Sequence, residues 1–281
     1  MALNTGVTEE RKEDHWSSEA YQSAAAFVPR LASKVVTWLD VQPGDRIWDV
    51  GCGDGILTQQ IAQSLTTGHI HGTDASPSMI RSAQQNASGL NTTYAVHDAT
   101  TSLTAPAPGA AYTKVFSNAA LHWILRAPAT RRAVFDAIFD ALEPGGTLVF
   151  EMGGFGNVAE LRAVLLAAVA RRVGIDRARR ADPWFFPDEA WMRTLLRDVG
   201  FVVDRAELEY RPTPCQQGPG GGLEGWLRLM GKQFFDALGD DAAERNACLG
   251  EVMRALETVC RAPSGGDFLS YVRLRVKATK P

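Results

Sequence analysis

The sequence has little of what marks secreted, membrane-spanning or metal-bound proteins. Its 281 residues include only four cysteines, Cys52, Cys215, Cys248 and Cys260. They are widely spaced and form no metal-ligand pattern, so no metal is expected and all four read as reduced thiols in a cytoplasmic protein. No apolar run reaches the length of a membrane span. Ala163–Ala170 is apolar but short, and Arg171-Arg172 ends it, as on a buried helix face. Met1–Asp14 is polar and charged, has no signal-peptide core and reads as a flexible tail. The formal net charge is -3, which provides no basic field for nucleic acid or an anionic membrane. No internal repeat is visible.

What the chain does have is a glycine turn, Ile47-Trp48-Asp49-Val50-Gly51-Cys52-Gly53-Asp54-Gly55. It reads as a buried strand, Arg46–Val50, then a tight turn, then a helix over Gly55–Leu65. Glycines at alternate positions let the backbone approach a ligand closely, and the following helix points its free N–H groups at it. Strands and helices then alternate. Gly68–Asp74, Thr92–His97, Ala111–Ser117 and Thr147–Glu151 are predicted strands. Ser76-Pro77 starts a helix running to Ala87, and Arg131–Leu142 is another. Thr100–Gly109 is expected as loop, and Glu143-Pro144-Gly145-Gly146 as a turn.

Beyond Met152 the pattern predicts a helix over Asn157–Val173, an irregular Arg-rich and aromatic loop over Gly174–Pro187, and a helix over Asp188–Asp198. A strand over Phe201–Glu209 and a loop over Arg211–Gly222 follow. Two amphipathic helices, Leu223–Leu238 and Asp240–Cys260, precede a last, antiparallel strand over Asp267–Val276. The fold expected is α/β, a doubly wound, Rossmann-like, mostly parallel seven-stranded sheet with an antiparallel last strand. Residues 1–14 would be tail and 15–281 a single domain. Within it, 15–40 would form N-terminal lid helices broken at Pro29, and 210–263 a helical cap insertion.

The turn alone does not name its ligand. A dinucleotide fold wants Gly-x-Gly-x-x-Gly, whereas here the spacing is Gly51-x-Gly53-x-Gly55 with Ile56 at the sixth position. Asp74 ends the second strand about 20 residues on, the distance at which an acid meets a ribose. Asp98 follows the third strand, where a second acid can accept from an exocyclic amine. Acids at three consecutive strand ends suit a ribose, an adenine and a cation, and suit a pyrophosphate poorly.

Four stretches in order, Asp49–Gly55, Gly72-Thr73-Asp74-Ala75-Ser76, His97-Asp98-Ala99 and Leu142-Glu143-Pro144-Gly145-Gly146, resemble the motifs of class I S-adenosylmethionine-dependent methyltransferases. The resemblance runs from about Trp16 to Val276. It implies S-adenosyl-L-methionine as cofactor, with Asp49, Gly51, Cys52, Gly53 and Gly55 around its methionine part. Asp74 would hold the ribose, Ala75 and Met79 flank the adenine, and Asp98 with Ala99 hold its edge. Ser117 and Asn118 would line the methionine end. The stretch Phe116–Trp123, with Trp16 and Tyr21, is similar to the trans-aconitate methyltransferase-like group and to fungal small-molecule methyltransferases. That implies a small-molecule acceptor, methylated at oxygen on a carboxylate or hydroxyl, and leaves a place in secondary metabolism open. The Asn/Asp-Pro-Pro-Tyr motif of amino-methylating nucleic-acid enzymes is replaced by Ser117-Asn118-Ala119-Ala120.

His122 is the candidate base, one turn beyond Asn118; the alternative is a histidine that only packs. Tyr21 and Trp16 either close over the donor or pack on the sheet. Trp123, Trp184, Phe185 and Trp226 are candidate acceptor contacts, each with core packing as the alternative. Arg126 is a candidate for a substrate carboxylate, as is the cluster Arg171-Arg172 with Arg177-x-Arg179-Arg180, which otherwise reads as a solvated face. Two other functions are alternatives. One is an NAD-dependent oxidoreductase, which the missing third-glycine spacing and Asp98 disfavour; the other is a protein that binds the donor without transferring methyl, whose cofactor motifs would be the same.

Overall fold

A computed structural model describes residues 32–87, 91–102, 111–216 and 218–281. The predicted lid residues Trp16 and Tyr21, and the tail before them, lie outside the described residues. Seven strands, β1 (Arg46–Val50), β2 (His69–Asp74), β3 (Thr92–Val96), β4 (Tyr112–Asn118), β5 (Leu142–Gly153), β6 (Val202–Pro214) and β7 (Phe268–Thr279), form one sheet in the order β3-β2-β1-β4-β5-β7-β6. Strands β1 to β5 are parallel, and β7 runs antiparallel to both β5 and β6. Eleven described α-helices flank them, besides a 3-10 turn at Pro128–Thr130: α1 (Ser33–Leu39), α2 (Ile56–Ala62), α3 (Pro77–Asn86), α4 (Leu121–Ile124), α5 (Arg131–Ala141), α6 (Ala159–Val173), α7 (Ile175–Ala181), α8 (Glu189–Val199), α9 (Gly222–Met230), α10 (Lys232–Asp236) and α11 (Ala242–Cys260). The expected doubly wound α/β sheet with an antiparallel last strand is the observed one.

The central strands are apolar on both faces because both faces are covered. Ile47, Ile70, Phe116 and Val149 pack against Val35, Trp38 and Leu39 of α1 and Ile61 and Ala62 of α2. Their neighbours in sequence, Trp48, Val115, Leu148 and Phe150, face Phe135 and Ile138 of α5 and Met192 and Leu196 of α8. A third core joins α6, α7 and α9 to α11 with the aromatic residues Trp184 and Phe186. That third core holds together a layer of helices, the cap, drawn from the segment between β5 and β6 (α6, α7) and from the segment between β6 and β7 (α9 to α11).

Helix starts follow local chemistry. The Ser76 hydroxyl accepts from the Met79 N–H at 3.1 Å with Pro77 opening α3, and Asp188 accepts from the Trp191 N–H at 2.7 Å to open α8.

Four expectations need correction. Glu143–Gly146 is not a separate turn before β5: β5 begins at Leu142, and these residues bulge out between the pairs Tyr112–Leu142 and Lys114–Thr147. Gly174–Pro187 is not all loop, because Ile175–Ala181 forms α7 once Gly174, at φ +81°, has broken α6. The helix predicted over Leu223–Leu238 is interrupted at Gly231. Arg211–Pro214 belongs to β6 and not to a loop. Pro212 and Pro214 are tolerated there because β6 is an edge strand that pairs only with β7.

Candidate active site

The glycine turn leaves β1 with the N–H groups of Gly51 and Cys52 both donating to the Thr73 carbonyl, at 2.8 and 2.9 Å. Gly51, Gly53 and Gly55 all have left-handed φ, at +75°, +56° and +77°. Their reasons differ. A Cβ on Gly51 would lie 2.2 Å from the Ala120 Cβ, and one on Gly55 would lie 2.9 Å from both the Ala83 Cβ and the Tyr94 hydroxyl. Nothing stands within 4 Å of the same point on Gly53. Two of the glycines therefore permit packing, and the middle one opens on free space. The Cys52 thiol is pushed well up by burial and is no nucleophile.

The acids meet at the same end of the sheet. Both oxygens of Asp74 accept backbone N–H groups, Oδ2 from Gly53 at 3.0 Å and Oδ1 from Ser76 at 2.9 Å. One side chain thus ties the glycine turn to the end of β2 and fixes its own direction. Beside it, Ala75 is exposed and Met79 buried. The Asp98 Oδ1 accepts from the Thr100 N–H and hydroxyl at 2.9 and 2.6 Å, which orients it after β3, with Ala99 packed against the core. Asp49 is buried and accepts from the Thr58 hydroxyl at 2.6 Å. Burial pushes its carboxyl up to about 7; Thr58 opposes the shift and the charge on Asp74 adds to it.

At the end of β4 the buried Ser117 hydroxyl donates to the Val50 carbonyl at 2.7 Å, lashing β4 to β1. The Asn118 Oδ1 is buried with no partner among the described residues. Ala119 takes a left-handed φ of +59°, uncommon for a residue with a Cβ, and its N–H donates to the Glu151 carbonyl at 2.8 Å. The turn delivers His122, 7% exposed, to the end of β5, where the Gly153 N–H donates to its Nδ1 at 3.3 Å. Burial and the charge of Arg273 hold the imidazole well below its ordinary pKa. Since Nδ1 is the acceptor, the single proton of the neutral ring sits on Nε2. His122 therefore presents a donor.

The remaining candidates are dispersed. Trp184 stacks on Phe186 and meets Trp123, Trp226 and Phe234, with ring centroids 5.7 to 6.0 Å away. The Trp226 indole N–H donates to the Tyr271 hydroxyl at 2.7 Å, joining the cap to β7. Phe185 turns the other way, under the Arg131 guanidinium at 3.4 Å and beside Trp191. Arg126 is exposed and spans to Gln233 at 2.7 Å and to the Arg180 carbonyl. Arg172 pairs with Glu244 and Glu251, and Arg171 with Glu251, which clamps α6 to α11. These arginines hold the cap.

Sequence reasoning missed a buried ionic cluster next to His122. The carboxylate of Glu151, 1% exposed, accepts from Arg211 at 3.0 Å and Arg273 at 2.9 Å on Oε1, and from Arg275 at 2.5 Å on Oε2. Arg275 also reaches Glu207 and Glu209, which Lys34 of α1 bridges from outside. Burial raises the Glu151 carboxyl, but Arg273, Arg211 and Arg275 outweigh it and hold it below its ordinary value. The available signal was the alternation Glu207-x-Glu209-x-Arg211 and Arg273-x-Arg275, which puts each set on one strand face.

Among the described residues, no three His, Cys, Asp or Glu side chains gather as a metal site. No described helix is long and apolar enough to cross a membrane. The open side of Gly53, the unpartnered Asn118 Oδ1 and the carboxylates of Asp74 and Asp98 at successive strand ends fit a nucleoside carrying an amino-acid tail. The methyltransferase domain family matches residues 47–146, the stretch that holds all four features. An uncharacterized methyltransferase of Schizosaccharomyces pombe is 36% identical, with 95% of this chain and 99% of that protein aligned. A trans-aconitate 2-methyltransferase of Streptomyces avermitilis is 33% identical over 94% of this chain and 97% of its own. In fold, the magnesium protoporphyrin IX methyltransferase of Synechocystis, solved with bound S-adenosylhomocysteine, superposes with a TM-score of 0.52 at 18% identity, over 90% of this chain and 83% of that one. The chain belongs to the class I S-adenosylmethionine-dependent methyltransferases. Its cofactor is S-adenosylmethionine, which supplies a methyl group already activated on a sulfonium.

Proposed function

We propose that the acceptor is a small organic acid and that the methyl goes to a carboxylate oxygen. The observation that carries this reading is the Gly153 N–H that donates to Nδ1 of the buried His122 at 3.3 Å. With Nδ1 so taken and burial favouring the neutral ring, the proton belongs on Nε2, and this histidine serves as a donor and not as a base. A hydroxyl acceptor needs its proton removed. A carboxylate is ionised at neutral pH and needs none. One carboxylate oxygen then gains the methyl, the sulfur–methyl bond breaks, and S-adenosylhomocysteine leaves with no proton to place.

The chain's own residues then have positioning roles. Gly51, Gly53 and Gly55 bring backbone against the methionine part, Asp74 accepts from the ribose hydroxyls, Asp98 and Ala99 hold the adenine edge, and Ala75 and Met79 lie along it. Asn118 offers its free Oδ1 to the ammonium end, and Ser117 fixes the strand that carries Asn118. The cap, with Trp184 and Trp226 in its core, excludes water, so placement does most of the work. The relatives named for trans-aconitate make that tricarboxylate the first acceptor to try.

The test is incubation with S-adenosylmethionine and trans-aconitate, other small acids, or phenols. A product carrying one added methyl that mild alkali removes is expected. An alkali-stable methyl ether formed from a hydroxyl compound, with no ester from any acid, would overturn the carboxylate assignment.

A further inference from the structure

Methyl transfer accounts for the turn, the acids and the cap, but not for Arg273. Only 4% of this residue is exposed. Its Nε donates to Glu151 at 2.9 Å and its guanidinium carbon lies 5.6 Å from the Tyr271 ring centroid. No described residue accepts from either Nη. A guanidinium has five N–H donors, and of these only the Nε–H is matched by a described acceptor. The charges of the cluster are also unequal. Arg205, Arg211, Arg273, Arg275 and Lys34 face Glu151, Glu207 and Glu209, two cations more than anions.

The surplus donors sit where a ligand would use them. Arg273 is opposite Gly153 in the β5–β7 ladder, and Gly153 is the residue whose N–H holds His122. Glu151, which holds Arg273, is opposite Asn118 in the β4–β5 ladder. Asn118 ends β4, His122 follows it, and Arg273 of the antiparallel β7 lies level with Gly153 at the end of β5, so all three stand at the edge of the sheet where the parallel strands end, the edge at which open α/β sheets bind ligands. Two of the three present unused donors, and the third an unused acceptor. The arginines that the sequence offers for this role, Arg126, Arg171 and Arg172, are occupied elsewhere.

We propose that Arg273, with the Nε2–H of His122 beside it, grips a carboxylate of the acceptor and makes the enzyme selective for acids. This deepens the methyl-transfer reading and rests on it. The gripped carboxylate is not the one methylated: a fork of N–H donors occupies the lone pairs that an attacking oxygen must offer. The acceptor then carries at least two carboxylates, one held by Arg273 and one turned toward the methyl.

Isothermal titration of the full-length protein loaded with S-adenosylhomocysteine tests this, using acetate, succinate and citrate as acid probes and succinamide as the neutral one. Succinate or citrate is expected to bind more tightly than acetate, and succinamide not at all. Arg273→Gln should weaken diacid binding at least tenfold and leave S-adenosylhomocysteine affinity unchanged, with Arg273→Lys in between. Equal diacid binding by wild type and Arg273→Gln, or no acid bound by a wild type that binds S-adenosylhomocysteine, would overturn the proposal. A wild type that does not bind S-adenosylhomocysteine would instead strike the methyl-transfer reading. Should Arg273→Gln fail to fold, the unsubstituted protein still decides. The ring signals of His122 in its NMR spectrum should move with succinate and not with succinamide; no movement with succinate refutes the assignment.

Discussion

Asp49 shows how far one side chain can be driven by its surroundings. An unfolded aspartate titrates near ~3.9; here burial lifts the carboxyl to about 7. Between those two values the folded chain holds a proton that the unfolded chain has lost. The stability from this group is therefore fully present below about pH 4 and is lost as pH rises toward 7, a loss of about 4 kcal/mol at ~1.4 kcal/mol per unit. The depressed His122 works in the opposite sense, so the comparison must be with a variant. Urea unfolding at pH 5 and pH 8 should show that Asp49→Asn lacks several kcal/mol of the pH-dependent fall that wild type suffers; identical slopes would mean that Asp49 titrates normally. A bound sulfonium favours the ionised carboxylate, so donor affinity should climb over the same window in wild type.

At the scale of elements, the central sheet could be read from the chain, while the ionic staple across β5, β6 and β7 could not. Strands buried on both faces write themselves as short apolar runs, and Asp49, Asp74 and Asp98 mark where three of them end. The glycine turn was equally legible, because only a backbone without Cβ tolerates Ala120 so close to Gly51. Glu151 carries no such mark. It ends an apolar strand, and its partner Arg273 is 122 residues away. Charges at every second position of β6 look like a solvated edge until β7 is known to lie between β5 and β6. The same long-range pairing hid Arg211–Pro214 as strand, since its two prolines are acceptable only at an edge. Breaking this staple from the middle should be costly. Glu151→Gln leaves three guanidiniums around a neutral amide, and a loss of about 3–5 kcal/mol is expected in denaturant unfolding. A loss under about 1 kcal/mol would show that the arginines are neutralised by water instead.

On the scale of the whole molecule, the proposed function assigns donor and acceptor to different cores. In the proposed site the donor lies against the ends of β1 to β4, which rest on the two cores of the sheet, and the acceptor faces the cap, whose aromatic and aliphatic residues form a core of their own. Ligand binding should therefore protect the molecule in two stages. With S-adenosylhomocysteine at ~100 times its dissociation constant the protein gains about 2.7 kcal/mol. Hydrogen exchange should slow first in residues 49–55, 72–79 and 98–100, leaving α9 to α11 unchanged until an acid acceptor is added. Equal slowing of the cap by the donor alone would show that the cores act as one.

One contact joins the glycine turn to the start of α4. Gly51 and Ala120, the latter between Asn118 and His122, approach so closely that a Cβ on the glycine would lie 2.2 Å from the Ala120 Cβ. On the proposed reading, the spacing between the two reactants is gauged by the thickness of a single methyl group on Ala120. A methyl of the chain's own would then set the gap across which a methyl is passed.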